Sequence, residues 1–325
     1  MTEDHLRHAN IDKLMELLAL KPGATVLDIG TGTGEFAERF AERVTPTGHV
    51  FATDIDAVCT ARVAAEARQK GLANLVAVKV SENGVDDFYR QHRYDLVTLF
   101  HVYYYLDDRI AYLRKIRSYL TENGRVAILY NKKVFPFSAT DFADFDGFIG
   151  ELAREPEESP FLKALSPATQ TLLAQRTGDA STDRLRAAVL GDLNALLTSR
   201  RFHEACFGDW NRKHGLSMTP EARDFANWLI MELREEGALD KAESELGPRE
   251  TRALMKLNRL LIMQRFRPYF RISRGREYSP FLVGDVNRQT SELSIAREMR
   301  EAGYEQAADH DLSTYYDLLV FAARK

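Results

Sequence analysis

Three glycines at alternate positions stand in Val26-Leu27-Asp28-Ile29-Gly30-Thr31-Gly32-Thr33-Gly34-Glu35-Phe36, where an apolar run passes into a helical pattern. Glycines so placed let the backbone turn sharply and come close to a ligand. Roughly twenty residues on, Asp54 closes the next apolar run, at a position where a carboxylate can accept both hydroxyls of a ribose. Together these residues describe a nucleoside site.

Which nucleoside is a question of charge. Gly32-Thr33-Gly34-Glu35-Phe36-Ala37 also satisfies the G-x-G-x-x-A form of a dinucleotide fingerprint, so the glycine pattern alone leaves an NAD-dependent oxidoreductase open. Asp28 and Glu35, however, flank the loop with two carboxylates, which repel a pyrophosphate and suit a ligand bearing an ammonium and a sulfonium. S-adenosylmethionine has both cations and no phosphate.

His101, Tyr103, Tyr104 and Tyr105 follow the fourth apolar run, at the carboxyl edge where open α/β sheets bind ligands. A neutral imidazole can take a proton from a hydroxyl, amine or thiol, and a tyrosine face can stabilise a sulfonium. The competing reading for each is packing, so one or two of the four are expected to face the ligand. The catalytic candidates are His101, Tyr103 and Tyr104. The eight histidines show no paired metal spacing, and no metal site is expected.

The elements that must hold these residues alternate. Runs at Thr25 to Ile29, His49 to Thr53, Leu75 to Val80, Tyr94 to Phe100 and Arg125 to Tyr130 predict strands, with helices over Glu35 to Val44, Ala57 to Gly71 and Arg109 to Leu120 between them. Gly71 and Gly124 stand where a left-handed residue commonly closes a helix. After Lys133, roughly 145 residues read as helices, a length beyond any ordinary loop. Ser166-Pro167 and Thr219-Pro220 mark helix starts there, and Arg184 to Leu197, Glu221 to Leu233 and Arg249 to Phe266 are amphipathic. The α/β pattern then returns, with a helix over Ser291 to Ala302 and strands at Tyr304 to Ala308 and Tyr315 to Ala323. The expected division is a core of residues 1–135 and 285–325 interrupted by a helical insertion, 136–284, acting as a lid or acceptor-binding subdomain.

Residues 24 to 133 resemble the class I S-adenosylmethionine methyltransferases, especially their bacterial small-molecule branch. Val26 to Phe36 resembles the family's first motif, Asp54 its ribose-binding acid, Tyr94-Asp95-Leu96-Val97 its fourth strand, and Leu120 to Val126 the turn before its fifth; Ala302-Gly303-Tyr304 resembles the approach to its sixth. The resemblance implies a Rossmann-like core with a mostly parallel seven-stranded sheet, carrying the all-helical insertion after strand five. It also implies S-adenosylmethionine as cofactor, with Gly30, Gly32 and Gly34 bordering the methionine part and Asp54 the ribose. Asp28, Thr31, Phe36, Ile55 and His101 complete the expected cofactor site. Where relatives carry Gly-Asp-Ala after strand three, this chain has Val80-Ser81-Glu82-Asn83, which passes the adenine contact to Ser81 or Glu82. Leu99-Phe100-His101-Val102-Tyr103 replaces the Asn/Asp-Pro-Pro-Tyr signature, which argues against methylation of nucleobase amines. Tyr130, Asn131, Lys132 and Lys133 are expected on the acceptor side. The same cofactor pocket would also serve aminocarboxypropyl transfer, cyclisation, or a catalytically silent binding module.

Composition sets the outer limits. A 45% hydrophobic and 28% charged chain folds as a globule, and a net charge of -4 gives no global attraction to nucleic acid or anionic membrane. The expected partner is a small-molecule acceptor, without nucleic acid or membrane, and a homodimer is allowed. Basic residues crowd Arg252 to Arg276, preceded by an acidic stretch from Glu232 to Glu250; mutual pairing is the favoured reading, and an anionic acceptor the other. Two cysteines without ligand spacing exclude a disulfide framework, and an acidic amino terminus without an apolar run points to the cytoplasm.

Overall fold

The computed structural model describes residues 11–81, 87–131, 134, 136–176, 181–207, 220–271, 291–312 and 316–324. The chain divides into two compact units, residues 1–133 with 294–325, and residues 134–293.

The first unit begins with helix α1 (Ile11–Leu18) and then alternates: β1 (Thr25–Ile29), α2 (Glu35–Val44), β2 (His49–Asp54), α3 (Ala57–Lys70), β3 (Leu75–Lys79), β4 (Tyr94–Phe100), α4 (Arg109–Arg117) and β5 (Leu120–Asn131). Its sheet is completed by β6 (Tyr304–Asp311) and β7 (Tyr316–Ala323), in the order β3-β2-β1-β4-β5-β7-β6. The pairs from β3 to β5 are parallel, whereas β7 runs antiparallel to both neighbours. This is the seven-stranded, mostly parallel, Rossmann-like sheet that the resemblance implied. Strand order reverses between β1 and β4, and the crevice at such a switch point is where open sheets bind ligands.

Local chemistry accounts for the punctuation. In α2, Phe36, Ala37, Phe40, Ala41 and Val44 form one buried stripe against the sheet. Asp56 caps α3 by accepting from the Val58 N–H at 2.8 Å, and Gly71 ends it at φ 69°. Separate apolar cores cover the two faces of the sheet, one around Phe40, Val50 and Leu96, the other around Leu27, Val97 and Tyr304.

One boundary is corrected. Helix α4 stops at Arg117, not Leu120, and Gly124 closes no helix. The β4–β5 register jumps from Tyr94↔Leu120 to Leu96↔Arg125, so the residues between bulge out of the ladder. A β-carbon at Gly124 would meet Tyr94 O at 2.6 Å, which is why a glycine stands there.

The described residues of the second unit are mainly helical: α5 (Phe145–Leu152), α6 (Pro160–Lys163), α7 (Pro167–Ala174), α8 (Asp183–Leu197), α9 (Arg200–Phe207), α10 (Pro220–Glu235) and α11 (Pro248–Arg265). An isolated antiparallel bridge, Phe142 to Phe270, departs from the all-helical expectation. Ser166 caps α7 as its spacing before Pro167 predicts, whereas Thr219 lies outside the described residues. Helices α8, α10 and α11 close on a core that includes Val189, Leu229 and Leu257.

Two residues of the basic segment have partners outside the acidic stretch. Arg259 pairs with Asp141 at 3.1 Å and lies 4.1 Å from the Phe137 ring centroid, and Arg265 pairs with Glu155. Both carboxylates precede the acidic stretch. Lys256 and Arg259 are buried, while Arg274 and Arg276 lie outside the described residues. Helix α12 (Glu292–Glu301) leads back into the sheet and is closed by Gly303 at φ 89°.

Candidate cofactor site

A cavity of about 310 Å³ opens at the carboxyl ends of β1, β2, β3 and β4, within the size range of small-ligand sites. Its wall includes Gly30, Gly32, Asp54, Ile55, Ser81 and His101 from the predicted set. These residues come from four strand ends, so only the parallel sheet brings them together.

The loop after β1 is tied to β2. The Gly30 and Thr31 N–H groups donate to Thr53 O at 2.8 and 2.9 Å, and the Gly32 N–H donates to Asp54 Oδ2 at 2.9 Å. The other Asp54 oxygen accepts from the Asp56 N–H at 2.9 Å, which fixes the carboxylate plane at the rim. Gly32 sits at φ 54°, and a β-carbon there would meet nothing nearer than Gly30 O at 4.0 Å, so the backbone leaves room for a ligand on that face.

Asp28 lies behind the loop, 2% exposed, and accepts from Thr98 Oγ1 at 2.6 Å. Burial pushes its carboxyl above the ordinary range, and the neighbouring Asp54 charge adds to the shift. The Thr31 hydroxyl beside this carboxyl offsets part of the shift, and the Thr33 hydroxyl is buried without a hydrogen-bond partner among the described residues.

The far wall is one turn after β4. His101 takes φ 58°, rare for a residue with a β-carbon, and its ring meets Tyr316 edge-on at 5.0 Å. Val102, Tyr105 and Leu106 continue the wall, joined by Phe100, Val80, Tyr89 and Tyr112. Tyr89 is 3.1 Å from Thr53 Oγ1, which in turn donates to Asp28 O at 3.2 Å. Neither lysine nor arginine is on the wall among the described residues.

Residues 2–157 match the methyltransferase domain family. The match covers just under half of the chain, and over that stretch the chain is similar to methyltransferase domains. Among curated proteins, the ubiquinone/menaquinone biosynthesis C-methyltransferase UbiE of Cupriavidus metallidurans is 31% identical over 116 residues, 36% of this chain and 46% of that protein. Nocamycin O-methyltransferase of Saccharothrix syringae is 31% identical over 36% of this chain and 41% of its own length, and the 2-phytyl-1,4-naphtoquinone methyltransferase of Trichormus variabilis is 30% identical over 34% and 47%. The chain therefore spans less than half the length of these relatives. Among solved structures, a putative O-methyltransferase from Nostoc punctiforme PCC 73102 aligns with 97% of this chain and 56% of its own, at 15% identity and a TM-score of 0.43.

The cofactor of such a methyltransferase domain is S-adenosylmethionine. The residues present fit it: the Asp54 carboxylate on a wall without lysine or arginine among the described residues, and the open backbone at Gly32, suit a cationic nucleoside better than a pyrophosphate.

Several predicted site residues are not on the cavity wall of the methyltransferase domain. Asp28 and Thr31 are buried behind the loop. Gly34, at φ 85°, faces α3, where a β-carbon would come within 2.5 Å of Val63 Cγ2, so its glycine serves helix packing. Phe36 is buried edge-on against Phe100 with centroids 5.0 Å apart. Tyr103 turns into the protein and is set aside as a reacting group; Tyr104 packs its ring 4.6 Å from Tyr105 and does not line the cavity. Glu82, Lys132 and Lys133 lie outside the described residues, and only the backbone of Asn131 is within them. Tyr89 and Tyr112 went unrecognised because no glycine or acid marks them; their sole signal is aromatic residues near sheet-edge turns.

Proposed function

We propose that the chain transfers a methyl group from S-adenosylmethionine to a small organic acceptor. The observation that carries this reading is the pairing of Asp54 with the Gly32 N–H on a cavity wall without a lysine or arginine among the described residues. Asp54 stands where a carboxylate can accept the hydroxyls of a ribose, and no lysine or arginine on the described wall would balance a pyrophosphate.

Bound S-adenosylmethionine supplies a methyl carbon on a sulfonium, an already activated leaving group. The protein's task is then mostly to hold an acceptor atom near that carbon and in line with its bond to sulfur. His101 is the base on this reading, since it lines the cavity and its left-handed backbone aims it from the end of β4. The acceptor is a small molecule and not nucleic acid, in keeping with the net charge of -4, and the enzyme works in the cytoplasm as a monomer or homodimer. Among the described residues no helix is long and apolar enough to cross a membrane.

Isothermal titration with S-adenosylmethionine, S-adenosylhomocysteine and NADH tests the reading. Binding of the first two and not of NADH supports it and opens an acceptor screen by methyl-transfer product analysis. Binding of NADH alone, or of none by folded protein, overturns it.

A further inference from the structure

His101, Val102, Tyr105 and Leu106 line the cavity, but Tyr103, in their midst, turns the other way and is 2% exposed. Its hydroxyl donates to Glu298 Oε2 at 2.6 Å. Arg109, at the start of α4, grips the same carboxylate in a fork, Nε to Oε2 at 2.7 Å and a terminal nitrogen to Oε1 at 2.8 Å. The guanidinium also lies 5.8 Å from the Tyr103 ring centroid. The Arg109 and Glu298 side chains are only 17% and 12% exposed, so solvent weakens these bonds little. Burial, and then the Glu298 charge, pushes the Tyr103 phenol far above its usual range, which keeps it protonated and donating.

None of these three side chains lines the cavity, so none is a reacting group. What they hold is the segment that does. The backbone bonds Tyr105 N–H to Val102 O (2.9 Å) and Leu106 N–H to Tyr103 O (3.3 Å) curl this segment without tying it to a neighbour. His101 is left-handed at φ 58°, a conformation that persists only where the surroundings impose it. The anchor comes from α12, 195 residues further along the chain.

We propose that Glu298 is a positioning residue of the cofactor site: through Tyr103 and Arg109 it holds residues 101–106 in the shape that closes one cavity wall. The proposal rests on the cofactor reading above for its functional meaning. It distinguishes Glu298 from a residue that merely stabilises the fold, because it predicts a change in ligand affinity and in the surroundings of His101.

The test compares Glu298→Ala, Glu298→Gln and Tyr103→Phe with wild type, by titration with S-adenosylhomocysteine below each unfolding temperature. Isotope-labelled histidine spectra, with the His101 signal assigned through His101→Gln, supply a second readout. Loss of charge-assisted hydrogen bonds should weaken binding about tenfold in Glu298→Ala and about threefold in Tyr103→Phe, with Glu298→Gln, which keeps one acceptor oxygen and no charge, recovering only part of the loss. The His101 resonance should move in Glu298→Ala and return only part of the way in Glu298→Gln. Should Glu298→Ala fail to fold, Tyr103→Phe, which keeps the ring, decides alone. Unchanged affinity together with an unmoved His101 signal overturns the proposal, whatever the unfolding temperatures do. If wild type binds no S-adenosylhomocysteine, the cofactor reading falls, and the His101 resonance by itself decides whether Glu298 shapes the segment.

Discussion

The Gly32 N–H donates to Asp54 Oδ2 at 2.9 Å, joining the end of β2 to the loop after β1. The bond sets the carboxylate at the rim of the cavity and holds the loop against it. Asp54→Asn keeps the shape but has one acceptor oxygen for two backbone donors, the N–H groups of Gly32 and Asp56. We expect S-adenosylmethionine affinity to fall by about tenfold or more, a loss of one charge-assisted bond. Calorimetric titration of the two proteins checks this, and affinity within twofold of wild type would refute it.

Gly34→Ala should destabilise the protein without touching the cavity wall. The left-handed backbone at φ 85° and the 2.5 Å approach to Val63 both oppose a β-carbon. Together they should cost about 2–4 kcal/mol. Adding Val63→Ala should relieve the steric part and leave the backbone part. Urea unfolding measures both, and a single-variant loss below about 0.5 kcal/mol contradicts the packing account.

Asp28 gives a pH signature. Its carboxyl is raised in the folded state, first by burial, against an ordinary value of 3.8. The folded form therefore binds more protons than the unfolded form above that value, and stability falls as pH rises through the interval up to the raised pKa. Asp28→Asn removes the buried charge and still accepts from Thr98. The variant should melt higher than wild type at neutral pH, with the gap closing toward pH values below 3.8. A gap of constant size across a melting series from acid to neutral pH sinks the account.

In the second unit, Arg265 is bonded to Glu155, whose side chain is 1% exposed and also accepts from Ser159 Oγ at 2.6 Å. Arg265→Met strips the carboxylate of its cation, at a cost of about 3–5 kcal/mol. The double variant with Glu155→Leu should recover much of that, since a buried pair and an apolar replacement are often close in energy. Chemical unfolding of the single and double variants decides, and additive losses would overturn the expectation.

The basic segment shows why pairing was harder to read than periodicity. Charge blocks at Glu232 to Glu250 and Arg252 to Arg276 look complementary along the chain, and Arg259 and Arg265 also reach Asp141 and Glu155, which lie in neither block. Adjacent blocks need not face each other once helices pack by their apolar stripes, and the partner of a long side chain is set by that packing.

By itself, the sequence determined the alternation of strands and helices, the glycine loop after β1 and the acid at the end of β2. Each of these is a local matter: apolar period, cap chemistry and backbone freedom act within a few residues. The tertiary structure decided which of the marked residues share a cavity. Gly32 and Gly34 are two positions apart in one motif, yet the first borders the cavity and the second packs on α3, because the start of α2 turns them to opposite sides. His101 and Tyr103 likewise part company: the left-handed turn leaves the imidazole on the cavity wall and sends the phenol to Glu298, on a helix that only the folded chain brings near. Side-chain direction depends on the backbone angles of the turn and on distant partners, and neither is written in the spacing of residue types.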